Sequence, residues 1–455
     1  MVALTKGIIK MDILPKNKMS EEDIKLNFIT PALVAKGWQD KITMETTVQF
    51  TKGKINIKGN LVKRDAPKKA DYILYINANN PIAIVEAKDN KHMVSYGLQQ
   101  AMTYAKMMDI PFAYSSNGDG FTEHDFLTGK ERHLALNDFP TYNELCDRYK
   151  SEANNSAGLT PEESLIMEQP YYTSQTTYTP YYYQRKAINR TVNTIAKGQQ
   201  RILLVMATGT GKTYTAFQIV YRLLKSGLKK KILYLADRNI LVDQSIQQDF
   251  KPLEKTIHKI NFSKDDPTTI TSHEVYFSLY QQLAGKDDPD DEDENAQENT
   301  AEKLATLFNK DFFDLIIVDE CHRGSAKKDS SWRKILEYFT SATQIGMTAT
   351  PKETKYVSNI DYFGEPIYTY SLREGIDDGF LAPFKVINIK TNIGEGWRPF
   401  KGQLDKNGME IEDRIYSNSD YDYNIELESR TEEVAREITD YLKSTDRRRE
   451  RKGRC

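Results

Sequence analysis

One stretch, Arg201–Thr213 with the sequence RILLVMATGTGKT, limits the possible folds more than any other. A short apolar run, Ile202 to Met206, breaks into Thr208-Gly209-Thr210-Gly211 and then Lys212-Thr213. That order reads as a buried strand feeding a glycine loop and a helix start. Glycines let successive backbone N–H groups turn inward around a phosphate without a Cβ in the way, and the helix N-terminus adds its positive dipole end. In such a loop Lys212 reaches the β- and γ-phosphates of a nucleotide such as ATP, and the Thr213 hydroxyl is a ligand for Mg²⁺. Met206 stands where the first glycine of G-x-x-x-x-G-K-T falls, so an ordinary glycine-rich turn is the competing reading.

The chain that follows favours the nucleotide. Lys231 to Leu235 (KILYL) is a second strand closing on Ala236-Asp237-Arg238, a polar tip of the kind open α/β sheets present to ligands. Leu315-Ile-Ile-Val318 runs into Asp319-Glu320-Cys321-His322, a buried strand ending in two carboxylates. Asp319 suits Mg²⁺ held through water, and Glu320 suits activation of an attacking water. Gly346-Met347-Thr348-Ala349-Thr350-Pro351 follows, and Gln184 lies upstream of the loop with an amide able to donate to and accept from an adenine edge. Transfer to a small molecule and a mechanical ATPase both use a glycine loop; the D-E-C-H and T-A-T runs favour the second.

The N-terminal region, 1–150, carries a different pattern. Ser20-Glu21-Glu22-Asp23 is a capping-box-like helix start, continued by Ile24 and Phe28, and Pro31 demands an early helix position or a kink. Lys52 to Lys69 holds seven bases against one acid, the signature of a solvated strand edge or loop, with a phosphate-backbone contact as the sharper alternative. Ala70–Ile76 and Ile82–Lys88 flank an Asn/Pro turn, which predicts a hairpin. Period-2 alternation puts Glu86 and Lys88 on one face of the second strand, where Asp71, at the root of the first, can meet them. Asp71 and Glu86 can hold Mg²⁺, and Lys88 can orient a water or offset developing charge; the bland alternative is a hairpin with surface charges. Gln100 and Tyr104, at i and i+4, share one helix face. Phe112–Ser116 and Phe121–Phe126 form a second predicted hairpin. Residues 151–183 are polar, Pro-punctuated and Tyr-rich, a linker whose tyrosines are expected to pack on a neighbouring domain.

Composition bounds the rest. At 455 residues the chain has room for two or three domains. No apolar run approaches the ~20 residues of a membrane span, and no membrane partner or signal peptide is expected. Three widely spaced cysteines exclude a disulfide framework and a Cys-based zinc site, which fits a reducing cytoplasm. Residues 287–302 carry nine acids and no base; without them the net charge of −2 becomes +7, a mildly basic body compatible with DNA.

Together these motifs resemble known families. Asp71…Glu86-Ala-Lys88 is similar to the PD-(D/E)xK nuclease signature, with Ala70 in place of its proline, and Gln100-Ala-Met-Thr-Tyr104 resembles the Q-x-x-x-Y element of nucleases fused to helicase motors. Gln184, the GKT loop (Thr208, Gly209, Thr210, Gly211, Lys212, Thr213), D-E-C-H and T-A-T resemble the Q motif and motifs I to III of superfamily 2 helicases. That likeness implies that His322 couples the nucleotide site to neighbouring motifs and that Thr348 and Thr350 link ATP state to the bound strand. Asp237-Arg238 and, more loosely, Thr271-Ser272 and Gln281 resemble strand-contact motifs. Nuclease before motor, with Ser116-Asn-Gly-Asp-Gly120 and the run Ser371 to Pro383, resembles the restriction subunit of type I restriction–modification enzymes over about residues 20–440.

The resemblance implies an α/β chain with a PD-(D/E)xK-type nuclease at 1–150, a linker at 151–183 and a first RecA-like domain at 184–390. It implies ATP and Mg²⁺ as cofactors, and duplex DNA with methyltransferase and specificity subunits as partners. No Q-x-x-G-R-x-x-R-type run follows, so 391–455 reads as a connector and the truncated start of a second RecA-like domain. On that reading the chain alone binds ATP weakly and turns it over slowly. A type III-like restriction or repair helicase–nuclease, and a non-catalytic DNA- or subunit-binding module, are the alternatives.

Overall fold

The computed structural model describes residues 14–44, 52–58, 61–65, 68–77, 80–152, 159–174, 179–236, 239–261, 264–266, 270–279, 307–321, 331–350, 353–354, 357–384, 397–404, 409–416 and 428–450. The chain divides into two compact units, Met1–Ala382 and Pro383–Cys455.

The first unit begins with α1 (Glu21–Ile24), capped by Ser20 and Asp23 in a reciprocal capping box. A π turn, Lys25–Ile29, leads into α2 (Thr30–Ala35). Pro31 explains the wide turn: it offers no N–H to the preceding turn, and its ring crowds the carbonyl four residues back. Pro31 stands at an early position of α2, one of the two expected placements, and the turn before it widens, with the Thr30 N–H bonding to Lys25 O.

The first sheet is mixed. Its strands are β1 (Ile42–Met44), β4 (Tyr72–Asn77), β5 (Asn80–Ala87), β6 (Phe112–Ser116), β7 (Gly120–Asp125) and β8 (Lys130–Ala135), with β2 (Ile55–Lys58) and β3 (Leu61–Arg64) forming a separate hairpin. The order is β1-β4-β5-β6-β7-β8, and β2 pairs only with β3. β4 and β5 form the expected antiparallel hairpin and β6–β7 the second. β5 and β6 run parallel, joined through α3 (Leu98–Met108). Alternation divides the two faces: Tyr72, Leu74 and Val85 enter one core, while Ile73 and Ile84 pack with Ala101, Tyr104 and Ala105 of α3. Glu86 falls on the Ile84 face, under α3.

The basic 52–69 segment is largely the β2–β3 hairpin. Lys54 meets Asp377 at 2.6 Å, and Arg64 donates to Gly379 O. Part of its charge thus serves contacts within the chain. The 151–183 stretch read as a linker holds helix: α4 (Tyr142–Glu152) enters it, and α5 (Pro161–Glu168) starts at a Thr160/Glu163 capping box. Tyr171 and Tyr183 are buried in the core that follows, as the packing expectation has it.

Beyond α6 (Tyr182–Ala196) lies a seven-stranded sheet made from β9 (Arg201–Met206), β10 (Ile232–Ala236), β11 (Ile257–Lys259), β12 (Val275–Leu279), β13 (Leu315–Val318), β14 (Thr343–Thr348) and a last strand, Tyr368–Tyr370. All pairings in it are parallel. The order is β11-β12-β10-β13-β14-β9 with Tyr368–Tyr370 outside β9. Parallel sheets need cover on both faces, and the residues supply it. Ile202, Leu204 and Met206 pack with α6 and with α7 (Lys212–Ser226); Leu203 and Val205 pack with Trp332, Phe339 and Phe363.

The second unit contains the bridges Trp397↔Tyr416 and Leu404↔Glu410 and the helix Glu428–Glu450. The acidic insert, Asp237-Arg238, Gln281 and His322 lie outside the described residues. Among the described residues no helix is long and apolar enough to cross a membrane.

Candidate active sites

The β4–β5 hairpin brings the three N-terminal candidates together. Asp71 sits one residue before β4, and its Oδ2 accepts the Ala87 N–H at 2.7 Å. Glu86 is 1 % exposed, and Lys88 Nζ lies 3.5 Å from its Oε2 and 2.8 Å from Ala87 O. Gly97, at the start of α3, closes over them: a Cβ there would stand 3.2 Å from Glu86 Cβ. Gln100 donates to the Tyr104 hydroxyl at 3.3 Å, so the pair does share a face, with Tyr104 buried and Gln100 exposed.

Electrostatics separate the two acids. Burial raises Glu86, the Asp71 charge adds to it, and its pKa is pushed up to about 9. Burial also works against Asp71, but hydrogen bonds from Glu86 and Lys25, the Lys25 charge and the Ala87 N–H outweigh it and hold Asp71 below the usual carboxylate range. One acid is ionised and its neighbour neutral, as expected for two carboxylates sharing a buried site without a metal. Glu86 Oε1 is buried and has no hydrogen-bond partner. Such an orphaned oxygen beside an ionised carboxylate fits a divalent cation, which would draw Glu86 into its charged form. No group of three His, Cys, Asp or Glu side chains is gathered among the described residues, so a cation here would keep several waters, as Mg²⁺ does.

The second site is built by strand order. β13, β14 and β9 are neighbours and run parallel, so the turns at their C-terminal ends converge. After β9 the glycine loop turns through Gly209 and Gly211, with φ of 81° and 80°, conformations that favour glycine. Thr208 is exposed, while Thr210 is buried and donates to Ala207 O at 2.6 Å. Lys212 opens α7, and its Nζ lies 3.2 Å from Glu320 Oε1. Glu320 has a φ of 50°, one of two non-glycine residues with positive φ among those described. Such strain is characteristic of functional positions. Asp319 is held by Tyr234, whose hydroxyl donates to its Oδ2 at 2.8 Å, and by the Glu320 N–H at 2.9 Å. Burial raises the Asp319 pKa against those bonds. The Thr213 hydroxyl also lies near Tyr234, where it works against the burial that raises that phenol. After β14, Thr348 donates to Thr350 O and accepts from the Thr350 N–H, a closed turn.

Gln184 lies against the glycine loop. It is 1 % exposed, its Nε2 donates to Thr210 O at 2.9 Å, and its Oε1 accepts the Tyr181 N–H at 3.0 Å. In this state it braces the glycine loop against α6, together with the Tyr183 hydroxyl on the same carbonyl.

Two participants escaped the sequence reading. Tyr234 carried no signal beyond lying in an apolar strand, and Lys25 lay on a helix read only for its cap. An alert reading would have noted that Lys25 interrupts the apolar stripe of Ile24, Phe28 and Ile29.

Comparison with known proteins sets the chain among restriction enzymes. Residues 42–140 match the family model "Type I restriction enzyme R protein N terminus (HSDR_N)", and residues 177–353 match "Type III restriction enzyme, res subunit". The chain is 46% identical over 435 residues to the type I restriction enzyme EcoAI endonuclease subunit of Escherichia coli, covering 94% of this chain and 51% of the relative. It is 27% identical to the EcoKI endonuclease subunit of E. coli K12, covering 97% and 43%. A solved fragment from Vibrio vulnificus YJ016, described as an HsdR subunit of a type I restriction enzyme, is 39% identical with a TM-score of 0.64, covering 80% of this chain and 62% of the fragment. The chain spans about half the length of the curated relatives it matches. Matched along nearly all its residues by endonuclease subunits, with the R-protein model over its first sheet and the res-subunit model over most of its second, this chain belongs to the family of type I restriction enzyme R (HsdR) subunits.

Proposed function

We propose that the chain supplies ATP-driven movement on duplex DNA and Mg²⁺-dependent phosphodiester hydrolysis to a type I restriction complex with methyltransferase and specificity subunits. One observation carries the reading: two places in the chain each gather a pair of carboxylates and a lysine, Asp71/Glu86/Lys88 under α3 and Asp319/Glu320/Lys212 at the C-terminal ends of the parallel strands. In the first, Asp71 and Glu86 would hold Mg²⁺, which supplies polarisation of the scissile phosphate, while Lys88 orients the attacking water or offsets developing charge; Gln100 and Tyr104 line the approach. In the second, Thr210 and its glycine neighbours cradle phosphates, and Lys212 exchanges Glu320 for the β/γ-phosphates. Thr213 and Asp319 would hold Mg²⁺. Glu320, released from Lys212, accepts the proton of the attacking water.

The motor half is tested by nucleotide titration. Lys212→Ala should lose ATP binding, whereas Glu320→Gln should bind ATP and fail to hydrolyse it. Equal ATP affinity of Lys212→Ala and the parent chain rejects the assignment.

A further inference from the structure

Lys25 is an ionic group that the chemistry above leaves without a task. It is 1 % exposed, and lysines are almost never buried to that extent unless paired. Its Nζ lies 2.6 Å from Asp71 Oδ1, 3.0 Å from Glu22 Oε1 and 3.4 Å from Glu21 Oε1. These contacts are unequal. The Glu22 side chain is 72% exposed, where water screens an ion pair down to little, whereas Asp71 is itself buried. Of these three, the substantial partner is therefore the carboxylate at the centre of the candidate nuclease site. Local backbone aims the lysine there: Lys25 opens the π turn that Pro31 forces, and such turns recur at functional positions.

The two carboxylates of the site are served differently. Asp71 has the Ala87 N–H on Oδ2 and the Lys25 ammonium on Oδ1. Glu86 has Lys88 at 3.5 Å from Oε2 and no hydrogen-bond partner on Oε1. The unmet demand for a cation is on the Glu86 side. With Lys25 in place the two carboxylates keep a net charge of −1, which one divalent ion already outweighs, and a second would face an ammonium at close range in a poorly screened site.

We infer that Lys25 is a positioning residue of this site: it anchors Asp71 and supplies the positive charge a second metal ion would bring, so the site takes a single divalent cation. This rests on reading Asp71 and Glu86 as the metal-holding pair. A purely structural ion pair is the competing role, and metal binding tells them apart.

The experiment is a Mn²⁺ titration of the 455-residue chain without nucleotide, with free Mn²⁺ followed by electron paramagnetic resonance, on the parent, Glu86→Ala, Lys25→Met and Lys25→Arg. The binding that Glu86→Ala removes from the parent should amount to one Mn²⁺. Lys25→Met should bind Mn²⁺ about tenfold or more tightly, or gain a second ion, because a repelling charge is gone. Lys25→Arg, keeping the charge, should behave as the parent. Two Glu86-dependent Mn²⁺ ions in the parent overturn the inference without recourse to any variant, so a Lys25→Met chain that fails to fold leaves it open to refutation. One ion in the parent with unchanged affinity in a folded Lys25→Met leaves only the structural pair and also overturns it. If Glu86→Ala removes no Mn²⁺, the metal-holding pair itself is wrong and the inference falls with it.

Discussion

Replacing Tyr234 with Phe deletes one oxygen atom, and the structure sets what that atom is worth. The ring is fully buried and stays so, leaving packing unchanged. What disappears is a 2.8 Å hydrogen bond to Asp319 Oδ2, the largest influence opposing the burial that raises the Asp319 pKa. A hydrogen bond to an ionised group contributes about 1.5–3 kcal/mol, so a loss of about 2 kcal/mol is expected at pH 8. The pH dependence has a definite sign. An acid raised above its ordinary 3.8 in the folded state disfavours folding once ionised, a penalty that is absent in acid and grows as pH rises through the folded value. Tyr234→Phe lifts that value further. The gap between variant and parent is therefore widest at pH 8 and narrows as pH falls towards 4 and Asp319 takes up a proton in both. Urea unfolding of both chains across that range, followed by near-ultraviolet circular dichroism, measures it. A gap under about 0.5 kcal/mol at pH 8, the scale of an inconsequential surface change, or one that widens on acidification, refutes the reasoning.

Other expectations are smaller in scope. Gly346→Ala on β14 would place a Cβ 2.7 Å from the buried Phe363 ring, overpacking that should cost about 1–3 kcal/mol and lower the melting temperature. Arg148→Ala removes a guanidinium that donates to both Glu123 oxygens and to Asp125. Arg132 remains on Glu123, so the cost should be about 2–3 kcal/mol, below the ~3–5 of a fully orphaned buried charge. Burial raises Glu123, but hydrogen bonds from Arg132, Arg148 and Tyr114 hold it below its ordinary 4.5. The stability it contributes is present above 4.5 and lost as pH falls through the folded value, so the Arg148→Ala deficit should shrink in acid.

Much of both sites was legible because local sequence carries them. Alternation in 70–88 placed Glu86 and Lys88, and an apolar strand followed by Gly-x-Gly-Lys placed the loop, since each depends on residues a few positions apart. The partners of those groups were not legible, because tertiary pairing decides them. Tyr234 and Asp319 are 85 residues apart and meet only because β10 pairs with β13. Lys25 reaches Asp71 through a widened helical turn whose cause, Pro31, was read as an early helix position or a kink, neither of which says that the turn before it widens. The hidden helix α5 was a different matter: Thr160-Pro161-Glu162-Glu163 is a capping box with proline at the first helical position, a signal masked by the tyrosines and prolines around it. Gln184 was singled out by position alone, and position could not say that its amide would close on Thr210.

The central claim is that Asp71 and Glu86 cut DNA while the Lys212 site turns over ATP. The most direct measurement is made on one complex, reconstituted with methyltransferase and specificity subunits, in which ATP hydrolysis and Mg²⁺-dependent duplex cleavage are followed together for the parent and Glu86→Ala. The account predicts that Glu86→Ala hydrolyses ATP at the parent rate and leaves the DNA intact. Undiminished cleavage by Glu86→Ala would contradict it.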